Sequence, residues 1–168
     1  MATLLKKEQA QRDPKTGLEL GICSATVPNV DPPFTLAHNI MPPGYRSSTH
    51  SHTKVCRGTY IAKGRIRFFF GLEGNQQVID TEAGDYIYTP VGEIHSQMNL
   101  SDTETAEYTS TYIGASDRDQ LGTIFVDAPR KLGRVLSSKA GLNTRGGKAA
   151  HPALCGQYFL DLQVRCCL

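Results

Sequence analysis

From Phe34 to about Asp127 the chain alternates short runs of β-branched and aromatic residues with clusters of turn formers, and no long stretch of helical period interrupts them. The runs are "FTLAHNIM", "THSHT", "GTYIAK", "RIRFFFG", "QQVIDT", "DYIYTP", "IHSQMNL", "AEYTSTYIG" and "TIFVD". "MPPG", "GLEGN", "EAGD" and "PVGE" stand between them, each with a Gly or Pro that demands a turn. Strands this short and evenly spaced predict an all-β core that protects its edges, as a sandwich, a closed barrel or a jelly roll.

The flanks read differently. Residues 1–30 are polar and irregular, with a short helical turn expected near "LLKKEQAQ". After Asp127 the chain runs through "SSKAGLNTRGGKAAHPALCG", a loop-like extension, into one apolar segment, "QYFLDLQV", that suits an edge strand or a packed helix. At 168 residues the chain fits one domain. The expected division is an N-terminal segment over 1–30, the β core over 31–128 and a basic extension over 129–168.

Composition narrows the function classes. With 39% hydrophobic and 20% charged residues the chain is an ordinary globular protein. A net charge of +2 is too small to capture nucleic acid or a membrane surface, so neither is an expected partner. Basic residues do gather late, at Arg130, Lys131, Arg134, Lys139, Arg145, Lys148 and Arg165. Without aromatic interleaving they read as a solvated tail rather than a polyanion site. The stretch "MATLLKKEQAQRD" lacks the apolar run of a secretion signal, which makes a cytoplasmic location the expectation. Cys23, Cys56, Cys155, Cys166 and Cys167 are odd in number and show no C-x-x-C spacing, as expected of reduced thiols.

Chemistry concentrates in "GYRSSTHSHTKVCRGTYIAKG", residues 44–64. Alternation on a strand projects His50 and His52 from one face, close enough to share an ion, although an H-x-H pair alone suits a solvent-facing strand equally. A further histidine, His95, lies in "GDYIYTPVGEIHSQMN", residues 84–99. Read as spacing, the first segment is Gly44, five residues, His50-x-His52, four residues, Arg57, six residues, Gly64. The second is Gly84, five residues, Pro90-x-Gly92, two residues, His95, three residues, Asn99. This pair of patterns resembles the two signature motifs of the cupins, small jelly-roll β-barrels that hold a metal inside the barrel. The second motif matches throughout. In the first, Arg57 falls where the family has a glutamate.

The resemblance implies a cupin jelly roll over roughly residues 34–115 and makes His50, His52 and His95 the metal ligands. Neutral imidazoles suit Fe, Zn, Cu, Ni and Mn, and three of them leave coordination positions open, as catalytic rather than structural sites do. The competing reading is a barrel that has lost its metal and keeps the histidines as polar lining. Arg57 cannot be a ligand, because guanidinium stays protonated. Turned inward, it adds positive charge to a site already short of an anion and favours an anionic substrate. Turned outward, it ion-pairs on the surface. The family gap after the second histidine is sometimes one shorter, which would bring Cys56 into the ligand position; the interval to Gly64 favours the register through Arg57. Tyr86, Tyr88, Tyr108 and Tyr112 alternate along strands, so some face the interior, and Tyr112 is taken with Arg57 and Gln97 as the candidate catalytic set.

Three function classes follow. Three-histidine sites resemble those of dioxygenase cupins, which implies an Fe(II) enzyme that uses O2 to cleave or oxidise a small anionic carbonyl, enol or phenolic compound. The same ligands serve non-oxidative lyase, decarboxylase or isomerase chemistry, and a barrel without catalysis would be a small-ligand binding module. Pairing as a homodimer is expected from the resemblance.

Overall fold

The computed structural model describes residues 2–13 and 18–126. The basic extension over 129–168, with "QYFLDLQV", lies outside the described residues. Within them the chain forms two short helical turns, at Lys7–Gln9 and Arg118–Gln120, and the strands β1 (Gln11–Arg12), β2 (Glu19–Ile22), β3 (Phe34–Met41), β4 (His50–His52), β5 (Cys56–Lys63), β6 (Arg65–Phe70), β7 (Gln77–Glu82), β8 (Tyr86–Thr89), β9 (His95–Asn99), β10 (Ala106–Ile113) and β11 (Thr123–Phe125). From β3 onward each lies on a run that the residue pattern predicts. β1 and β2 are additions to a segment expected to be irregular. They are held by antiparallel pairing, β2 running along β3 with Glu19 opposite His38, so cross-strand partners rather than local pattern make them strands.

Two antiparallel sheets face each other. One has the order β1-β2-β3-β10-β5-β8 and the other β11-β4-β9-β6-β7. Alternation is clean on β10, where Ala106, Tyr108, Ser110 and Tyr112 are buried and the residues between them are less so, as expected of strands with one face on a core. The chain crosses from the first sheet to the second between β5 and β6, at Gly64. Its φ is +79°, and a Cβ there would stand 2.9 Å from the Cβ of Ala106, so both the backbone conformation and the space call for glycine.

The apolar core comes in two parts. Leu18, Leu20, Cys23, Ala37, Val55, Tyr112, Ala115 and Leu121 form one cluster. Met41, Ile61, Ile66, Phe68, Phe70, Ala106 and Tyr108 form the other. Along β10, Ser110 falls between Tyr108 of one cluster and Tyr112 of the other. Burying apolar area at roughly 25 cal/mol per Å² drives the sheets together at these clusters, and the polar side chains of the interior are gathered elsewhere.

Candidate metal centre

β4 and β9 are hydrogen-bonded neighbours with His50 directly opposite His95. His52, two residues along β4, shares the face of His50. The ring centroids are 5.0 Å apart for His50 and His52, 4.4 Å for His50 and His95, and 5.4 Å for His52 and His95. One nitrogen from each ring lies within 4.8 Å of the others. The second motif is tied to the first through Gly92, whose N–H donates to the His52 carbonyl at 2.8 Å.

Each ring is oriented through its Nδ1. His50 Nδ1 lies 2.8 Å from the Ser48 carbonyl and His95 Nδ1 2.8 Å from the Glu93 carbonyl. A carbonyl only accepts, so both Nδ1 atoms carry the proton and both Nε2 atoms carry a lone pair. His52 Nδ1 lies 3.0 Å from the Thr123 hydroxyl on β11. The Nε2 atoms of His52 and His95 are buried and have no hydrogen-bond partner. Burial is the main cause holding all three histidines below their ordinary pKa, with His52 lowered to about 3 and His95 to about 2. The Arg57 charge acts in the same direction on all three, and repulsion between the rings adds to it at His52 and His95. Neutral rings, each oriented at Nδ1 and with the tautomers of His50 and His95 fixed by carbonyls, and the orphaned Nε2 atoms of His52 and His95 fit a divalent metal ion of the kind imidazole binds.

The wall beside the histidines comes from the other sheet. Arg57 is only 1% exposed and stands between Tyr112 of β10 and Thr89 of β8 in the ladder. It therefore points inward, with Nε and Nη2 unpartnered. The Tyr112 ring meets the His52 ring edge-on at 5.2 Å. Gln97 on β9 is buried on the face of His95, and its Nε2 donates to the Tyr108 hydroxyl at 2.7 Å. Burial pushes the Tyr108 phenol well above its usual pKa. These side chains, with Asn39 and the rim residue Phe125, border a cavity of about 140 Å³. That size admits a small molecule rather than a polymer.

Sequence spacing thus brings together His50, His52, His95, Arg57, Gln97 and Tyr112. Cys56 precedes Arg57 on the same strand and lies outside the histidine group. Tyr60, Tyr86 and Tyr88 are exposed. His38 stands between Glu19 and Glu107, 3.4 and 3.3 Å from their carboxylates, away from the centre. Sequence reasoning did not single out Thr123 or Asn39. Both sit on correctly predicted strands, and only strand pairing, which residue pattern does not encode, shows what they face.

Among the described residues no helix is long and apolar enough to cross a membrane. The family model for the cupin domain matches residues 37–112. Searched by sequence, the curated proteins give no match. By structure the chain is similar to oxalate decarboxylase from Bacillus subtilis (TM-score 0.60, 22% identity, 75% of this chain and 33% of that one). It is also similar to oxalate oxidase (TM-score 0.56, 18% identity, 73% and 63%) and to peruvianin-I, a cysteine peptidase from Thevetia peruviana latex (TM-score 0.57, 16% identity, 73% and 76%). This chain spans a third of the decarboxylase chain and under two thirds of the oxidase chain. Such likenesses concern the fold, and one fold carrying three activities leaves function to the site. Residues 37–112 form a cupin domain, and the barrel built around them has the cupin fold.

Proposed function

We propose that the barrel is a metal-dependent enzyme in which His50, His52 and His95 hold one divalent ion, Fe(II) before Mn, Ni, Cu or Zn, and a small anionic carbonyl, enol or phenolic compound is oxidised or cleaved with O2. The observation that carries this reading is the set of three neutral imidazoles, with each Nδ1 held by a neighbour and their ligand atoms gathered within 4.8 Å. Fe(II) at that position would supply a Lewis acid with open vertices for substrate and O2.

The chain's own residues supply charge and position. Three neutral ligands leave the ion's charge uncompensated, and Arg57 adds to it, so the pocket selects a substrate that arrives ionised. Among the described cavity-lining residues there is no carboxylate, so nothing there competes with an anionic substrate for Arg57. Tyr112 flanks His52 and limits how far that ring can turn. The hydrogen bond between Gln97 and Tyr108 fixes two polar groups on the cavity wall.

The same charge distribution would stabilise an enolate without oxidation, and the likeness to an oxalate decarboxylase favours a lyase or decarboxylase as the second reading. Oxygen dependence separates the two. With metal-loaded protein and a panel of small oxo and hydroxy acids, substrate-dependent O2 uptake supports the dioxygenase, whereas turnover that persists without O2 supports the lyase. Pairing of two copies belongs to the same proposal. A solution mass near twice 18.4 kDa supports it, and a monomer mass excludes it.

A further inference from the structure

We infer that the cavity contains a carboxylate site built by Arg57, Asn39 and the Gln97–Tyr108 pair, that this site binds small carboxylates without any metal, and that the substrate is accordingly an oxo or hydroxy carboxylic acid. Only the last clause rests on the three-histidine reading. The carboxylate end would lie on the arginine and the second oxygen function toward the histidines.

The argument is an inventory of donors. Arg57 is 1% exposed, its Nε and Nη2 have no partner, and no ion pair to a carboxylate is made among the described residues. A buried guanidinium left so is costly unless an anion enters. Asn39 Nδ2 is also buried and unpartnered, and Asn39 stands directly opposite Tyr108 on the β3–β10 ladder. The Gln97–Tyr108 pair adds a further donor whichever way the amide is turned. As placed, Gln97 Nε2 donates to the phenol oxygen, which leaves the phenol proton for another acceptor. Reversed, the phenol donates to the amide oxygen and the amide N–H groups are spare.

These donors face one space. Arg57 and Tyr108 start two inward positions apart in the ladder, and the intervening positions on the three neighbouring strands are Ala37, Ser110 and Thr59. Such small side chains leave room for the arginine to lie along the sheet. The Arg57 charge acts on Tyr108 and on all three histidines, which is consistent with a guanidinium between the phenol and the metal ligands. Apart from the histidine nitrogens, the unpartnered donors of Arg57, Asn39 and the Gln97–Tyr108 pair thus exceed the one unpartnered amide acceptor, Gln97 Oε1, in a pocket with no acid in its lining. A carboxylate, with two oxygens matched to the guanidinium fork, answers that excess better than a neutral diketone or a thiol.

The test uses the full chain freed of metal by chelation, with metal content verified, and follows its melting temperature during titration with formate and acetate, and with formamide and acetamide as neutral controls of the same shape. The expected result is a concentration-dependent rise with the carboxylates and none with the amides. Arg57→Gln should raise the half-saturating carboxylate concentration about tenfold or more. Should that variant fail to fold, Asn39→Ala is expected to raise it severalfold. No carboxylate response in the wild type, an equal response to the amides, or an undiminished response in the foldable variants would overturn the inference. Metal titration of the same samples reads the histidine centre separately: carboxylate binding can fail while metal binding survives, and the reverse.

Discussion

Gln97 on β9 and Tyr108 on β10 meet across the barrel, amide nitrogen to phenol oxygen at 2.7 Å, with both side chains buried. They belong to different sheets, so this hydrogen bond spans the interior that the apolar clusters enclose. Tyr108→Phe keeps the ring in its cluster and leaves the Gln97 amide without its partner. A loss of about 1–2 kcal/mol in urea unfolding is expected, with little change in m. Wild-type stability in Tyr108→Phe would mean that the bond contributes nothing net.

Asn99 closes the second motif without approaching the metal centre. Its Nδ2 lies 3.1, 3.0 and 2.8 Å from the carbonyls of Met41, Pro42 and Glu104, and its Oδ1 accepts from the Ser101 N–H at 2.9 Å. It fastens the turns after β3 and β9 to each other. Asn99→Ala is expected to cost about 3 kcal/mol in stability while the folded variant keeps wild-type metal affinity. A variant of normal stability with weakened metal binding would reverse this assignment.

Gly64→Ala tests the crossover between the sheets. The added methyl group meets Ala106 in a backbone conformation that L residues avoid. A destabilisation of about 2 kcal/mol or more is expected in chemical unfolding, and an unchanged midpoint would contradict it.

The histidines make the metal-free protein sensitive to acid. Their ordinary pKa is 6.5, and the folded chain holds His52 at about 3 and His95 at about 2, chiefly through burial. Below pH 6.5 the unfolded chain therefore binds protons that the folded chain does not, and stability falls as pH falls, from 6.5 toward about 3. The slope is about 1.4 kcal/mol per pH unit for each fully titrating histidine, and His50 adds in the same direction. Unfolding midpoints at roughly pH 7 and pH 5 should differ accordingly, and His95→Gln should flatten the difference. A midpoint independent of pH in the wild type would contradict the buried, neutral rings.

Much of this was legible in the residues because two physical signals were strong. Alternation with Gly and Pro punctuation marked strands β3 to β11, and the spacing of His50, His52, His95 and the motif glycines marked the centre. What could not be read was what depends on pairing. β1 and β2 are too short to show a period and exist through their neighbours. The orientation of Arg57 was open because the bend at Thr53 and Lys54 breaks the alternation that would have carried parity from His52. Tyr108 and Tyr112 share a face at an even spacing, so pattern alone could not say which one meets Gln97 and which flanks His52.

The most direct measurement is the metal content of protein purified without oxygen, for the wild type and His95→Ala, followed by O2 uptake with small oxo and hydroxy acids. Near-stoichiometric iron in the wild type, lost in the variant, together with uptake that needs both metal and substrate, is the expected result. Wild-type protein that takes up no divalent metal, or a His95→Ala variant that retains it undiminished, would contradict a three-histidine metal centre.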